Sequence, residues 1–472
     1  MTKIILSVNA GSSSVKVSVF SATKVHEDPT QIAEAQVSGL TSPPPKLTYT
    51  RGGAAVSKGS GVGGEVRSQD DAWRVILGTL VGDASLPQIA REEDIAIVCH
   101  RIVHGGDFRT AQVINEATYH RLEQLNDLAP LHNAPSLEIV KSCMRQLPGA
   151  VNVACFDTQF HASMPLHVRT YPIDQDVARK NGLRKYGFHG ISYSFITRSV
   201  AAFLAKDPRQ LNIIALHLGS GASACAIKGG RSWDTSMGLT PLAGLPGATR
   251  SGSIDPSLVF HYASDVGRLS PASTKELHIS VAETILNKES GWKALTGTTD
   301  FGAIADPDSS AADPSRQLAF DLFVDRVCAY VGSYYVALGG RVDALVFAGG
   351  IGERSARLRK AVVESCSCLG FALDDARNSA VVAAAAAGGG GGGDEKAAAA
   401  AVVRDISSSS SNGSSNGKED GGQAHKVLVC TTDEQFEMAR GAAGDPALWW
   451  PDDGDDTPDL TLLRVKSGEG PH

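Results

Sequence analysis

A chain of 472 residues with 42% hydrophobic and 20% charged residues is long enough for two cores and reads as a globular protein of two domains. Its formal net charge of −7 argues against a nucleic-acid surface, although a locally basic cleft can still take small anions, so small-molecule partners are expected. No stretch is long and apolar enough for a bilayer, and the apolar run after Lys3 breaks at Asn9 without a cleavage-like tail, which predicts a cytoplasmic protein with no membrane partner.

The first strand-like runs, residues 4–8 and 15–20, are joined by Asn9-Ala10-Gly11-Ser12-Ser13-Ser14 instead of a tight Asn-Gly turn, with Lys16 just beyond. Residues 41–70 carry Pro43-Pro44-Pro45 and then a Gly/Ser/Val mixture, the composition of an exposed loop or loosely ordered extension. Residues 95–98, 151–155, 213–218 and 344–348 are short apolar runs of the buried-strand kind, while 320–338 and 358–369 have helical apolar spacing. That alternation predicts an α/β protein, in which ligands collect where strands end. From 383 to about 423 the chain passes through alanine, glycine and Ser/Asn/Gly tracts with almost no large apolar side chains, which predicts a disordered insertion. The acidic, proline-bearing tail from Asp452 is expected to fray. Eight cysteines lie scattered in apolar segments without a CxxC pair and read as buried thiols of a reducing compartment.

Five strand ends share a chemistry. They are Asn9 to Lys16, His100-Arg101 running to His104-Gly105-Gly106, Phe156-Asp157-Thr158, His217 to Gly221, and Phe347 to Glu353. Glycines admit close backbone approach, hydroxyls and amides donate, and the charges are Arg, Lys, Asp and Glu, a set that suits phosphate, magnesium and carboxylate. No GxxxxGK[ST] occurs, so a phosphate cradle here must be built from strand-turn-strand hairpins.

The segments NAGSSSVK, HRIVHGG, APLHNAPS, FDTQFH, RKYGFHG, HLGSG, TSMGLTPLAGLPGATRSGSIDP, AGGIGE and TTDEQ, in this order from Lys3 to about Gly441, resemble the motif set of the acetate kinases. The resemblance implies the fold of the acetate and sugar kinase, Hsp70 and actin superfamily, two ribonuclease-H-like domains with a cleft between them. Residues 1–157 plus 435–472 would form one domain, and 158–434 the nucleotide-side domain, with the insertion at about 383–423. It further implies a homodimer, magnesium or alternatively manganese, and ATP, ADP, acetate and acetyl phosphate as small-molecule substrates.

By the same resemblance, Asn9, Ser12, Ser14 and Lys16 face the transferred phosphoryl group, and Arg101 and Arg250 line the acetate and phosphoryl site. His189 stands at the phosphoryl group in flight, with His132 and His217 contacting phosphate or shaping the site. Val103, Leu131, Phe188 and Pro241 match the pocket around the acetate methyl. Glu434, with Asn9, matches the magnesium site, and Asp157 lies close to metal and substrate. Gly219, Ser220 and Gly221, Asp300, Phe301 and Gly302, and Gly350, Ile351 and Gly352 match the nucleotide side. Ser220, Gly302, Arg354 and Tyr193 depart from the usual residues at their positions.

A small carboxylic acid is already ionised at neutral pH, so the reaction needs no general base; it needs screening of two anions that repel each other. Arg101, Arg250, Lys16 and His189 suit that work, and Asp157 suits orientation or metal binding. The expected activity is reversible in-line transfer of the ATP γ-phosphoryl group to acetate. Kept open are a propionate or butyrate kinase, a pyrophosphate-dependent acetate kinase, and a non-catalytic nucleotide switch of the actin and Hsp70 kind.

Overall fold

The computed structural model describes residues 2–11, 13–62, 66–125, 130–262, 269–270, 273, 279–385, 402–408 and 425–449, with the backbone alone at 130–132, 262 and 382–385. The chain forms a mixed α/β fold on two sheets. The first contains β1 (Lys3–Ala10), β2 (Ser14–Ala22), β3 (Thr30–Ser38), β4 (Lys46–Arg51), β5 (Ala54–Gly61), β6 (Ile95–Ile102), β7 (Gln112–Val113) and β8 (Val151–Phe156), in the order β5-β4-β3-β2-β1-β6-β8-β7. The second contains β9 (Asn212–Leu218), β10 (Ala222–Lys228), β11 (Arg231–Thr235), β12 (Ala344–Ala348), β13 (Val403–Asp405) and β14 (Lys426–Cys430), in the order β11-β10-β9-β12-β14-β13.

The sheets repeat one plan. An antiparallel hairpin, β1–β2 or β9–β10, supplies a strand that continues in parallel to two later strands, β6 and β8 or β12 and β14. The parallel strands read as nearly unbroken apolar runs because both faces are covered, and Ala344–Ala348 is buried at every position. Helices Gln69–Val81 and Pro130–Gln146 pack on one face of the first sheet; Pro314–Ala337 packs on β9 and β10, and Gly190–Phe203 lies against β9 and β14.

Helix Glu434–Ala443 ties the two halves together. Its Gln435 receives a hydrogen bond from Ser18 Oγ (2.9 Å) and donates to the Ser7 carbonyl (2.9 Å), while Glu437 accepts from Ser194 Oγ (2.7 Å) on the helix Gly190–Phe203. Ser7, Ser18, Gln435 and Glu437 are buried, so each needs its partner.

Two expectations are corrected. Residues 46–61 are not a loop but the hairpin β4–β5: Tyr49 is buried, KLTYTR alternates, and Gly52 and Gly53, both at positive φ, form the two-residue turn that a right-handed twist favours. Composition hid a legible turn signal. Within 383–423, residues 402–408 are ordered: Val403–Asp405 pairs antiparallel with β14, and Val403 and Ile406 are buried. A short β-branched run on a sheet edge can offset its ordering entropy even when flanked by alanine and serine. The neighbouring tracts, 386–401 and 409–424, and the tail from Asp452 lie outside the described residues.

Candidate functional site

The polar ends of the parallel strands carry the residues singled out in the sequence, and strand pairing decides which of them meet. Arg101 sits in the ladder of β6, opposite Cys155 of β8, so its side chain reaches Asp157 just past the end of β8. Arg101 Nη2 and Nε donate to the two Asp157 carboxylate oxygens at 2.7 and 3.2 Å, and Nη1 donates to Asn9 Oδ1 at 3.4 Å. Glu434, the first residue of the fastening helix, places a carboxylate oxygen 3.4 Å from Arg101 Nε. Burial disfavours the guanidinium charge, but Asp157 and Glu434 outweigh it and hold Arg101 above its ordinary pKa. Asp157 is pushed up, because burial and the neighbouring Glu434 carboxylate prevail over Arg101. The pair shifts in the same direction, as expected of one cation shared by two carboxylates.

His189 enters this cluster through a tight approach. Gly190 N–H donates to the Asp157 carbonyl (2.8 Å), and a Cβ on Gly190 would lie 2.2 Å from that oxygen, so only glycine lets the helix Gly190–Phe203 begin here. The preceding His189 takes left-handed backbone, φ 59°, uncommon outside glycine. Its ring stacks on His217 (centroids 4.2 Å apart), and its Nδ1 lies 2.8 Å from Ser223 Oγ. Ser223 and His217 are cross-strand partners in β9–β10, which puts both side chains on one face. Tyr193 Oη reaches Ser223 Oγ at 2.6 Å, and Ser192 Oγ reaches His217 Nδ1 at 2.7 Å. Burial, with the charges of Arg101 and Arg250 nearby, pushes His189 well down; His217 falls to about 4, chiefly through burial and Arg101. Both rings are neutral at pH 7.

Arg250 closes the other side. A Cβ on Gly221 would sit 3.0 Å from Arg250 Nη1 and 3.9 Å from His189 Nε2, so both groups face the same small space beside the β9–β10 turn. Among the described residues Arg250 has no carboxylate partner, and burial with repulsion from Arg101 lowers its pKa to about 10. A half-buried arginine without a counter-ion is a place prepared for an anion.

Val103, Phe188, Tyr186, Met237 and Leu239 form a small apolar cluster beside these charges. Pro241 is buried in the loop that carries Leu239. Leu131 and His132 fall in the first turn of Pro130–Gln146, and their side chains, like all of Ser12, lie outside what the structure describes. Lys16 stands opposite Asn9 in the β1–β2 register and pairs with Glu34 (3.0 Å); Ser14 closes the turn by accepting from Gly11 N–H (2.9 Å).

Gly219, Ser220, Asp300, Phe301, Gly302, Gly350 and Ile351 share one cleft of about 590 Å³ with Arg354 and Arg357. Gly352 is not in its wall; it lies beneath, against Phe347 and Leu218.

Sequence reading missed the residues that hold the others. Asn133 clasps the His104 backbone, accepting from N–H (2.9 Å) and donating to C=O (3.0 Å); His161 Nε2 lies 2.9 Å from the Phe188 carbonyl; Ser223, Ser192 and Tyr193 stand behind the histidines. Asn133 and His161 lie inside APLHNAPS and FDTQFH, so the motifs pointed at them without assigning a task. Among the described residues no group of three His, Cys, Asp or Glu side chains forms a metal centre, and no helix is long and apolar enough to cross a membrane.

The Acetokinase family model matches residues 4–388. The chain is 59% identical over 464 residues to a probable acetate kinase of Neurospora crassa, covering 95% of each chain. Among solved structures it is similar to an acetate kinase of Porphyromonas gingivalis, at 30% identity and TM-score 0.72, over 93% of this chain and 98% of that one. A propionate kinase of Francisella tularensis aligns at 29% identity and TM-score 0.74, again over 93% and 98%.

Proposed function

The chain belongs to the acetokinase family, phosphotransferases with a carboxyl group as acceptor, and from that premise we propose how its cleft moves a phosphoryl group from ATP to acetate, reversibly and by direct in-line transfer. The observation that carries the reading is Arg250, without a carboxylate partner among the described residues, facing neutral His189 across Gly221, while Arg101 is held in place by Asp157 and Glu434.

Acetate arrives as an anion, so nothing has to deprotonate it. Arg250, which no carboxylate answers among the described residues, takes the anionic charge, its planar fork suiting carboxylate and phosphate alike. With Ser223, itself hydrogen-bonded to Tyr193, donating to Nδ1, the His189 imidazole would carry its proton on Nε2 and aim a neutral donor at the transferring group. A neutral donor adds no charge that must be desolvated in the ground state, and its orientation is set before the substrate arrives. Asp157 orients Arg101. Val103, Phe188 and Leu239, with Leu131 and Pro241, bound the methyl end of the acceptor.

Asn9, Asp157 and Glu434 offer oxygen donors around Arg101, a set that fits magnesium, or alternatively manganese, since such ions take one or two carboxylates plus substrate phosphates. When bound, the ion neutralises phosphate charge. Ser12, Ser14, Lys16, His132 and His217 would line the phosphate path. The nucleotide would lie in the cleft of Gly219, Ser220, Asp300 to Gly302 and Gly350 to Ile351, where a Cβ on Gly350 would meet nothing within 4 Å. Residues 1–157 with 435–472, and 158–434, would be the two bodies that close on it. Eight free cysteines support a cytoplasmic setting, and kinship with the acetokinase family is the support for a homodimer.

The likeness to a propionate kinase favours a second reading, a three-carbon acceptor, because Val103 and Leu239 are only partly buried. Trapping the acyl phosphate with hydroxylamine over acetate, propionate and butyrate, with ATP or pyrophosphate as donor at matched free magnesium, tests both. Acetate with ATP is expected to lead, with butyrate at least about tenfold poorer in kcat/KM. Robust product from pyrophosphate and none from ATP would overturn the donor assignment.

A further inference from the structure

Beside the apolar cluster, with which it shares Tyr186, lies a cavity of about 440 Å³ lined by Arg109, Arg169, Arg179 and Arg184 against a single carboxylate, Asp107. In a chain with net charge −7, four guanidinium groups around one hollow are out of proportion. Two of them are answered: Arg184 pairs with Asp107 (2.9 Å) and lies 3.8 Å from the Tyr186 ring centre, and Arg179 pairs with Asp176. Arg109 and Arg169 make no ion pair among the described residues, with Asp107 acting on Arg169 only through its charge, and the Arg169 Nε–H is buried with no acceptor among the described residues. A buried donor without an acceptor costs free energy that an occupant of the right charge would recover. The Arg169 pKa is pushed down, first by burial and then by the charges of Arg184 and Arg109, so the three cations repel one another across the hollow.

We propose that this cavity is a second, non-catalytic binding site for a small anion bearing at least two acidic groups, held in bidentate fashion by Arg169 and Arg109 with Arg184 at its edge. Its place in the fold ties it to the cleft: Thr158 in its wall follows Asp157, and Tyr186 in its wall packs with Phe188. The cavity is separate from the proposed nucleotide cleft, with which it shares no lining residue. Carboxylate and phosphate present the same planar oxygen pairs to an arginine fork, so the ligand chemistry is common to polycarboxylates and phosphorylated compounds.

Titration calorimetry of the full chain with tricarballylate and, separately, with inorganic pyrophosphate tests the site, each compared between the wild type and the double variant Arg109→Gln/Arg169→Gln. Neither arginine belongs to the proposed catalytic machinery, so acetate-dependent turnover within about twofold of wild type would certify the variant's fold, with the melting temperature as a second check. The expected result is binding of at least one probe in the wild type that weakens by about tenfold or more in the double variant, with Arg169→Lys intermediate because it keeps charge but loses the fork. Loss for pyrophosphate alone assigns the phosphate source, and loss for tricarballylate alone the carboxylate source. Equal binding of both probes by the wild type and the variant, or no binding of either by the wild type, would overturn the proposal. Since the readout is binding, it stands or falls independently of the reaction assigned to the cleft.

Discussion

On the proposed acceptor side of the cleft most charged or polar side chains lean on another, Arg101 on Asp157 and Glu434, His189 on Ser223 and Tyr193, His217 on Ser192, and Arg250 is the exception among the described residues, with no carboxylate partner. On the proposed donor side the wall mixes Gly219, Gly302 and Gly350 with Trp292, Phe301 and Ile351, and its cation Arg354 makes no ion pair or side-chain hydrogen bond among the described residues, while Arg357 is tied to Ala305, Ser310 and Gln317. The difference follows from what each side must do. Groups that stabilise a transition state have to be fixed before it forms, whereas a nucleotide can be gripped by shape and main chain. Of the four positions that depart from the acetate kinase motifs, Ser220, Gly302 and Arg354 fall on the less constrained side, whereas Tyr193 stands behind Ser223 on the other.

If the acceptor side is a prewired network, its largest failure is Arg101→Ala. It leaves Asp157 and Glu434 facing each other without their shared cation, so stability in a urea titration should fall by about 3 kcal/mol and turnover by more than about a thousandfold. A stable, half-active variant would mean that the network is ornamental. Ser223→Ala should be milder, about tenfold in kcat, because the imidazole loses the partner that sets its tautomer. The KM for ATP should stay unchanged, which separates orientation from donor binding. Loss in KM alone would break the comparison.

The contrast also predicts an acid sensitivity rooted on the acceptor side. His104, His161 and His217 are held near 4 against an ordinary 6.5, chiefly by burial. Folded, they stay neutral; unfolded, they bind protons below about 6.5, so unfolding takes up protons and stability falls as pH drops from 6.5 towards 4. Each contributes about 1.4 kcal/mol per pH unit in that window. Urea midpoints at pH 7, 6 and 5 should therefore decline steeply, and a flat series would show that the histidines are not held neutral.

Much of this was readable from strand ends. Residues 213–218 and 344–348 announced buried strands by apolar continuity, and the glycines and arginines after them named the cleft, because close approach and anion binding restrict residue type. Ser223, Ser192 and Asn133 were not readable, since a hydroxyl or amide gains its task only from cross-strand register or a helix start that brings it to a histidine. The hairpin at 46–61 and the edge strand at Val403–Asp405 were masked by glycine, proline and alanine around them, although Gly52-Gly53 and the run Val402-Val403 carried local signals. The arginine cavity was beyond reach for another reason: Arg109, Arg169 and Arg184 are apart in sequence and meet only through the fold.

The division of labour across the cleft is tested most directly by steady-state kinetics of Arg250→Ala beside Arg354→Ala, with acetate and ATP varied in turn. The account predicts that Arg250→Ala loses about a hundredfold or more in kcat with little change in the KM for ATP, and that Arg354→Ala keeps kcat while its KM for ATP rises several-fold. Retention of more than about a tenth of wild-type kcat by Arg250→Ala, or a collapse of kcat in Arg354→Ala, would contradict it.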